Sequence, residues 1–162
     1  MAISVGDTLP DASLVHLGAD GPAEVKLSEK TAGRKVVIFA LPGAYTGTCS
    51  TAHVPSFIRT IDQFKAKGVD EVMCVSVNDP FVMGAWGDAT GATAAGITML
   101  GDADASFTKA MGRAFTAPPV GLYDRSTRYA MVVEDGKVTV LQEEENPGVC
   151  DVSGGEALLE AL

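Results

Sequence analysis

The sequence predicts one α/β domain built on a mostly parallel sheet that ends in an antiparallel hairpin. Short apolar runs rich in β-branched residues alternate with segments whose apolar residues recur at helical spacing, an order typical of strands joined by helices. Near the end of the chain, two more such runs flank Asp135-Gly136, a dipeptide typical of a two-residue hairpin turn. A length of 162 residues suits one domain with a substantial core.

The first part of the chain predicts edge strands, a buried central strand and a helix. Residues 1–34 are rich in glycine and proline, which predicts turns between short edge strands or hairpins. Residues 35–41 (KVVIFAL) form an apolar run ended by Pro42-Gly43, typical of a buried central strand. After the next loop, apolar residues at helical spacing predict a helix that ends at Gly68: Val54, Phe57, Ile58, Ile61 and Phe64.

The middle of the chain predicts two further strands, each followed by a helix. Residues 70–78 and 97–100 are the apolar runs. Asp79 and Pro80 suit the N-cap and first position of the earlier helix, whose apolar residues are Phe81, Val82, Ala85 and Trp86. Asp102 and Asp104 open the next helix, which runs to Gly112 and directs three residues inward: Phe107, Ala110 and Met111.

The last part of the chain predicts a loop, the hairpin and a closing helix. Residues 113–127 contain Pro118-Pro119 and predict a loop. Residues 128–134 and 137–143 are the hairpin strands, and the acidic run 143–145 is expected to be a solvated strand end. Ser153 and Glu156 have the S-x-x-E spacing of a capping box, which predicts the start of the last helix.

Composition narrows the class of protein. Hydrophobic residues make up 46% of the chain and charged residues 20%, so a wholly disordered chain is excluded. The formal charge of −9 argues against nucleic-acid binding, and no apolar run approaches the length of a membrane span. The N-terminal residues resemble neither a signal peptide nor a transit peptide, which fits a cytoplasmic protein or a mature organellar form whose leader is removed. Residues 1–162 contain no linker or repeat, so we expect one domain.

Among the three cysteines, Cys49 stands where chemistry is most readily expected. It lies in segment 42–55, which joins the buried central strand to the amphipathic helix, and ligands bind at this edge of parallel sheets. The unpaired N–H groups and the dipole at a helix start favour an anion, so they would stabilise a nucleophilic thiolate at Cys49. The alternative is a small apolar residue at a helix start, without chemistry.

The pattern P-x-x-x-T-x-x-C, which stands here as Pro42, Thr46 and Cys49, resembles the active-site motif of the peroxiredoxins. Segments 68–87 (GVDEVMCVSVNDPFVMGAWG) and 128–138 (RYAMVVEDGKV) are similar to the type II and peroxiredoxin-5-like subfamily, and the similarity covers most of the chain. The resemblance implies a thioredoxin-like α/β fold whose central mixed sheet is flanked by helices.

The sequence departs from the subfamily in the loop before Cys49. Tyr45 stands where the subfamily usually has phenylalanine, and Gly47 where it has a second proline. Glycine should loosen this loop, because it restricts the backbone least. The departure concerns how well the loop is organised, and not the class of reaction.

The resemblance implies a thiol-dependent peroxidase. Such an enzyme reduces hydrogen peroxide and alkyl hydroperoxides through a sulfenic acid on Cys49, which thioredoxin or glutaredoxin with glutathione then recycles. Sulfur carries the redox chemistry, so no metal or organic cofactor is required. The resemblance also implies a homodimer, and the apolar stretch 81–86 is a candidate for part of its surface, although it could instead be core. The rival hypothesis is a non-catalytic thiol sensor or relay that passes oxidation to a partner protein.

The resemblance assigns roles around Cys49 to four further residues. It gives Arg128 the stabilisation of the departing hydroxide, for which a permanently charged donor is suited, although Arg128 could instead be a solvated hairpin charge. The Thr46 hydroxyl can bond the thiolate or a peroxide oxygen, or merely its own backbone. Pro42 would shield Cys49 from water, and the backbone N–H groups of Thr48 and Cys49 would donate to the peroxide.

Two cysteines are candidates to resolve the oxidised Cys49. Cys150 lies in the Gly/Pro-rich loop ENPGVCDVSGG and corresponds to the resolving residue of peroxiredoxin-5-like, atypical two-cysteine enzymes. Cys74 lies within an apolar strand, matches the second cysteine of plant-like type II enzymes, and could simply be an inert buried thiol. Access favours Cys150, and an external glutathione or glutaredoxin thiol is a third possibility.

His53 follows Cys49 by one helical turn, so it could polarise the site or serve as a metal ligand. The chain has only two histidines and no C-x-x-C pair, so a zinc site is poorly supported. We expect His53 to be a hydrogen-bonded structural residue near the rim of the pocket.

Overall fold

The computed structural model describes residues 2–162 as nine strands, six α-helices and two short turns of other helix types. The strands are β1 (Ser13–Gly18), β2 (Gly21–Lys26), β3 (Lys35–Ala40), β4 (Glu71–Ser76), β5 (Thr98–Gly101), β6 (Ala114–Ala117), β7 (Leu122–Ser126), β8 (Tyr129–Glu134) and β9 (Lys137–Glu143). The α-helices are α1 (Leu27–Thr31), α2 (Val54–Ala66), α3 (Pro80–Thr90), α4 (Ala92–Ala95), α5 (Ser106–Ala110) and α6 (Gly155–Glu160). A π-helical turn spans Cys49–His53 and a 3-10 turn spans Pro118–Val120.

Seven strands form one mixed sheet in the order β2-β1-β5-β4-β3-β8-β9, which confirms the mixed sheet flanked by helices. Only the pairs β3·β4 and β4·β5 are parallel. The prediction of a mostly parallel sheet is wrong because hairpins close both sides, β1–β2 on one and β8–β9 on the other. The strands of a hairpin are antiparallel by construction, and the first of these hairpins lies in the turn-rich N-terminal region.

Strand β3 shows how the sheet divides the core into two clusters. Its Val37 and Phe39 belong to one buried apolar cluster, and Val36, Ile38 and Ala40 belong to the other. Successive side chains point to opposite faces of a strand, so a central strand with helices on both sides is apolar throughout. The continuous apolar run in the sequence has this origin.

Helix α2 covers the face of the sheet that carries Phe39. Four residues of its predicted stripe are buried, namely Val54, Phe57, Ile61 and Phe64, while Ile58 is partly exposed at the margin. Helix α3 begins as predicted, with Pro80 first and the Asp79 carboxylate accepting a hydrogen bond from Val82 N at 2.9 Å. Trp86 of α3 is buried, but Phe81 is 60% exposed.

Two predictions for the segment after β5 are wrong. Helix α5 is shorter than expected and Ala110 is exposed, because the Asp102 carboxylate accepts hydrogen bonds from Phe107 N and Thr108 N and so fixes the helix start beyond Asp104. The predicted loop 113–127 contains β6 and β7, which pair as a separate two-stranded sheet. Phe115 and Leu122 give this hairpin an apolar side that faces a pocket.

The predicted capping box at the last helix is also wrong. Helix α6 begins at Gly155 with Gly154 as its N-cap, and the Ser153 hydroxyl donates instead to the Glu144 carboxylate at 2.7 Å. Glu144 also accepts from the backbone N–H groups of Asp151 and Ser153. Glu144 is therefore a bonded residue and not part of a solvated strand end.

The helices are short. Among residues 2–162, no helix combines the length and the apolar character that crossing a bilayer requires.

Candidate active site

Cys49 lies where the chain turns from the carboxyl end of β3 into helix α2. It opens the π-helical turn Cys49–His53, in which Val54 N donates to Cys49 O, and its side chain is fully buried. Wide π-turns of this kind occur often at functional sites. The thiol therefore sits at the sheet edge where ligands bind in α/β folds.

Arg128 reaches Cys49 from the neighbouring strand. Ala40 at the end of β3 pairs with Tyr129 of β8, so Arg128 emerges at the same end of the sheet as Cys49. Its Nη2 donates a hydrogen bond to Cys49 Sγ at 3.1 Å, and its side chain is only 2% exposed. Arg128 is thus a buried cation and not a solvated hairpin charge. Negative charge that develops on the sulfur would be stabilised there, because a buried charge is stabilised by an opposite charge.

Neutral acceptors hold the rest of the Arg128 guanidinium. Its Nε and Nη2 both donate to the carbonyl oxygen of Pro147, at 3.1 and 3.0 Å. Its Nη1 lies 2.9 Å from His53 Nδ1. Because a guanidinium can only donate, Nδ1 carries no proton, and His53 Nε2 donates to Ser153 O at 3.0 Å.

His53 is neutral and lies in the core, deeper than the pocket rim where we expected it. Burial, and then the charge of Arg128, lowers the pKa of His53 to about 3. Its ring packs beside those of Phe39 and Phe57, with centroids 5.0 and 5.7 Å away. The hydrogen bonds expected from the sequence are present, and they link His53 to Arg128.

The loop between β3 and Cys49 is braced by several hydrogen bonds. Thr46 Oγ1 donates to Gly43 O at 2.7 Å, and Arg125 Nη1 donates to Pro42 O at 3.0 Å. Thr48 Oγ1 donates to Gly148 O at 2.8 Å. Thr46 therefore makes the local backbone bond that was the simpler of its two interpretations, and its oxygen lone pairs remain able to accept from a ligand.

A cavity of about 320 Å³ opens above Arg128. The loop before Cys49 contributes Pro42, Thr46, Gly47 and Thr48 to its wall. The opposite wall is apolar and comes from the β6–β7 hairpin and the loop after β9: Phe115, Ala117, Val120, Leu122, Pro147 and Gly148. A small polar molecule with an apolar tail fits a cavity whose charged group is Arg128.

A family model described as Redoxin matches residues 4–159. The chain is 45% identical over 161 residues to Peroxiredoxin-2C of Oryza sativa subsp. japonica, which covers 99% of this chain and 98% of that relative. It is 47% identical to the chloroplastic Peroxiredoxin-2E-2 of the same plant, over 99% of this chain and 72% of the relative. The chain belongs to the peroxiredoxin family. The sequence resemblance is thereby confirmed, and membership supports thiol peroxidase activity.

Solved structures of peroxiredoxins share the fold. The reduced Prx3 of Vibrio vulnificus, crystallised in complex with hydrogen peroxide, superimposes with a TM-score of 0.92 at 49% identity and covers 98% of both chains. The thioredoxin-like arrangement implied by the sequence is thereby confirmed.

The other two cysteines of this peroxiredoxin differ in access. Cys74 lies at the centre of β4, between Phe39 of β3 and Met99 of β5, and is fully buried. Burial raises the pKa of the Cys74 thiol well above its ordinary value. Cys150 is half-buried and lines a second depression together with Arg59 and Glu156. Burial also raises the pKa of Cys150, and no disulfide joins the cysteines in this structure.

The structure places the predicted Pro42, Thr46 and Arg128 in the wall of one cavity, with Cys49 buried in contact with Arg128, but several contributors to the site were not predicted from the sequence. Two of them are the backbone carbonyls of Pro147 and Gly148, whose role depends on loop position and not on side-chain type. Asn78 is another, because its Oδ1 accepts from Ala44 N at 3.0 Å and so holds the loop before Cys49. The apolar wall from the β6–β7 hairpin was also not predicted, because Pro118-Pro119 made this segment resemble a loop.

Proposed function

We propose that this peroxiredoxin reduces hydrogen peroxide and alkyl hydroperoxides with Cys49 as the nucleophile. The observation that carries the proposal is the 3.1 Å contact between Arg128 Nη2 and Cys49 Sγ beneath the cavity. The Cys49 thiolate attacks the terminal oxygen of the hydroperoxide, a sulfur–oxygen bond forms and the O–O bond breaks. Cys49 becomes a sulfenic acid, and the departing hydroxide or alkoxide takes up a proton to leave as water or alcohol.

The residues around Cys49 would divide the remaining work. Arg128 stabilises the thiolate and then the negative charge that develops on the departing oxygen. The Thr46 oxygen accepts from the O–H of the peroxide, since its own proton goes to Gly43 O. The backbone N–H groups of Thr48 and Cys49 donate to the peroxide oxygens. Pro42, which is buried, keeps water from the sulfur.

The apolar wall of the cavity supports alkyl hydroperoxides as substrates beside hydrogen peroxide. An alkyl tail placed against Phe115, Val120 and Leu122 would be removed from water while its peroxide group meets Arg128. The exposed Phe81 supports a homodimer that uses this end of α3. The charge of −9 gives no support for nucleic acid as a partner. The compartment we propose is the cytoplasm, or an organelle after removal of a leader.

Cys150 is our first choice to resolve the sulfenic acid. Its thiol would attack Cys49 sulfur, forming a disulfide and releasing water, and thioredoxin or glutaredoxin with glutathione would then reduce the disulfide. The half-burial of Cys150, against the complete burial of Cys74, supports this order. Attack by Cys74 or by an external glutathione thiol are the alternatives.

The turnover of peroxide under a thiol donor tests the proposal. We expect stopped-flow measurements to show fast consumption of peroxide over many cycles in the wild type, and none with Cys49→Ser. Cys74→Ser is the matched control for the first oxidation by peroxide, which needs only Cys49, because it removes a buried thiol of the same core cluster. Turnover that persists in Cys49→Ser would refute the assignment, and a single oxidation without turnover would instead identify a redox relay.

Mass mapping after one equivalent of peroxide tests the resolving residue. We expect a disulfide between Cys49 and Cys150, and its absence in Cys150→Ser. A bond from Cys49 to Cys74 would reverse our choice. A persistent sulfenate or a glutathione adduct would identify a cycle with one cysteine.

A further inference from the structure

His53 touches no reacting atom in the proposed reaction, yet it lies fully buried between Arg128 and the chain segment that carries Cys150. We propose that His53 is a positioning residue whose Nδ1 holds the Arg128 guanidinium against Cys49, and that Glu144 secures His53 through Ser153. The inference rests on the proposed function, since it concerns how Arg128 is presented to the nucleophile.

Two contacts fix the plane of the guanidinium. Pro147 O accepts from Nε and Nη2 along one edge, and His53 Nδ1 accepts from Nη1 at another position. With both in place, Nη2 lies 3.1 Å from Cys49 Sγ. If the contact with His53 is lost, the Pro147 edge alone remains, and the group can rotate away from the sulfur.

The far side of His53 is fixed as well. Its Nε2 donates to Ser153 O, and Ser153 is held by Glu144 Oε2, which accepts from Ser153 N at 2.8 Å and Ser153 Oγ at 2.7 Å. Glu144 N in turn donates to Arg128 O at 3.0 Å. The hydrogen bonds therefore form a closed ring through Arg128, His53, Ser153 and Glu144.

A neutral acceptor suits this position better than a carboxylate. An aspartate or glutamate in contact with Nη1 would pair with Arg128 and reduce the positive field at Cys49 Sγ. A buried imidazole without a charge accepts the same hydrogen bond and leaves the charge of Arg128 to the thiolate and the peroxide. The low pKa of His53 keeps it neutral near pH 7.

Variants of His53 separate positioning from packing. His53→Leu keeps an apolar body without an acceptor, whereas the side-chain amide of His53→Gln offers both an acceptor and a donor. We expect His53→Leu to slow the oxidation of Cys49 by peroxide about 10- to 100-fold, because misplacing a catalytic group by up to about 1 Å has effects of this size. We expect His53→Gln to recover most of the rate.

The pH profile of the oxidation rate is the readout that a purely structural role would not change. In His53→Leu the rate should reach its plateau at a higher pH, because a displaced Arg128 stabilises the thiolate less. His16→Gln is the matched control, since His16 Nδ1 also contacts a backbone carbonyl, Met99 O at 3.2 Å, but lies outside the site. An unchanged profile in His53→Leu, or equal losses in the Leu and Gln variants, would overturn the proposal.

A second variant covers the case in which His53→Leu does not fold. Glu144→Ala frees Ser153 and leaves His53 in place, so it should shift the pH profile in the same direction by a smaller amount. A wild-type profile in Glu144→Ala would overturn the relay through Ser153. If the wild type itself does not react with peroxide, the proposed function fails. Alkylation of Cys49 by iodoacetamide over the same pH range then still tests how His53 positions Arg128.

Discussion

Gly47 and Gly155 occupy opposite kinds of environment. A Cβ added at Gly47 would meet no atom within 4 Å, although the loop there leads to Cys49. A Cβ at Gly155 would lie 2.5 Å from Ser56 O and closer still to Thr60 Oγ1. The glycine at 47 therefore only adds backbone freedom, whereas the glycine at 155 allows helix α6 to contact helix α2.

We expect Gly47→Ala to raise the free energy of unfolding by about 0.4–1 kcal/mol, because alanine restricts the unfolded chain without a clash in the folded one. Gly155→Ala is the matched control and should lower it by about 1–3 kcal/mol through overpacking. Urea denaturation of both variants measures the two changes. A destabilised Gly47→Ala would mean that the loop before Cys49 requires glycine.

The site residues differ in how far the sequence predicts them. Cys49, Thr46 and Pro42 follow from one local motif, and Arg128 follows from the resemblance alone. The position of His53 beside Arg128 could not be predicted, because the two residues are 75 positions apart and meet only through the register of β3 and β8. The carbonyl acceptors at Pro147 and Gly148 could not be predicted either, because every residue has a backbone carbonyl and the residue type does not mark these two.

At the scale of elements, prediction succeeded where local signals and tertiary contacts agree. The run from Lys35 is a central strand because both faces are buried, and helix α3 starts at Asp79-Pro80 because its cap is purely local. The capping box at Ser153 was wrong because two tertiary demands compete with it. Glu144 binds the Ser153 hydroxyl, and Gly155 must approach the backbone of α2 closely.

The β6–β7 hairpin was predicted as a loop because its local signals are weak. Its strands have four and five residues and a diproline between them, so its sequence resembles a loop. It pairs only with itself, outside the main sheet, and its apolar residues line the cavity above Arg128 instead of the core. The spacing of apolar residues in a sequence predicts elements that pack against the core. It does not predict a hairpin whose apolar residues face a cavity.

For the whole molecule, the buried His53 makes stability depend on pH. In the unfolded chain His53 titrates near 6.5, and in the folded protein at about 3. Between these values the unfolded state binds a proton that the folded state does not, so acid favours unfolding. The contribution of the neutral His53 to the free energy of unfolding is fully present above pH 6.5 and is lost as the pH falls toward 3. Its slope approaches about 1.4 kcal/mol per pH unit.

Denaturation in urea at several pH values between 3 and 6.5 measures this dependence. We expect the free energy of unfolding to fall more steeply with acid in the wild type than in His53→Gln, which has no group that titrates there. Carboxylates such as Glu71 and Glu144, whose pKa is lowered by hydrogen bonds despite burial, act in the same direction but are common to both proteins. They therefore cancel in the difference between the two slopes. Equal slopes in the wild type and His53→Gln would show that folding does not suppress protonation of His53.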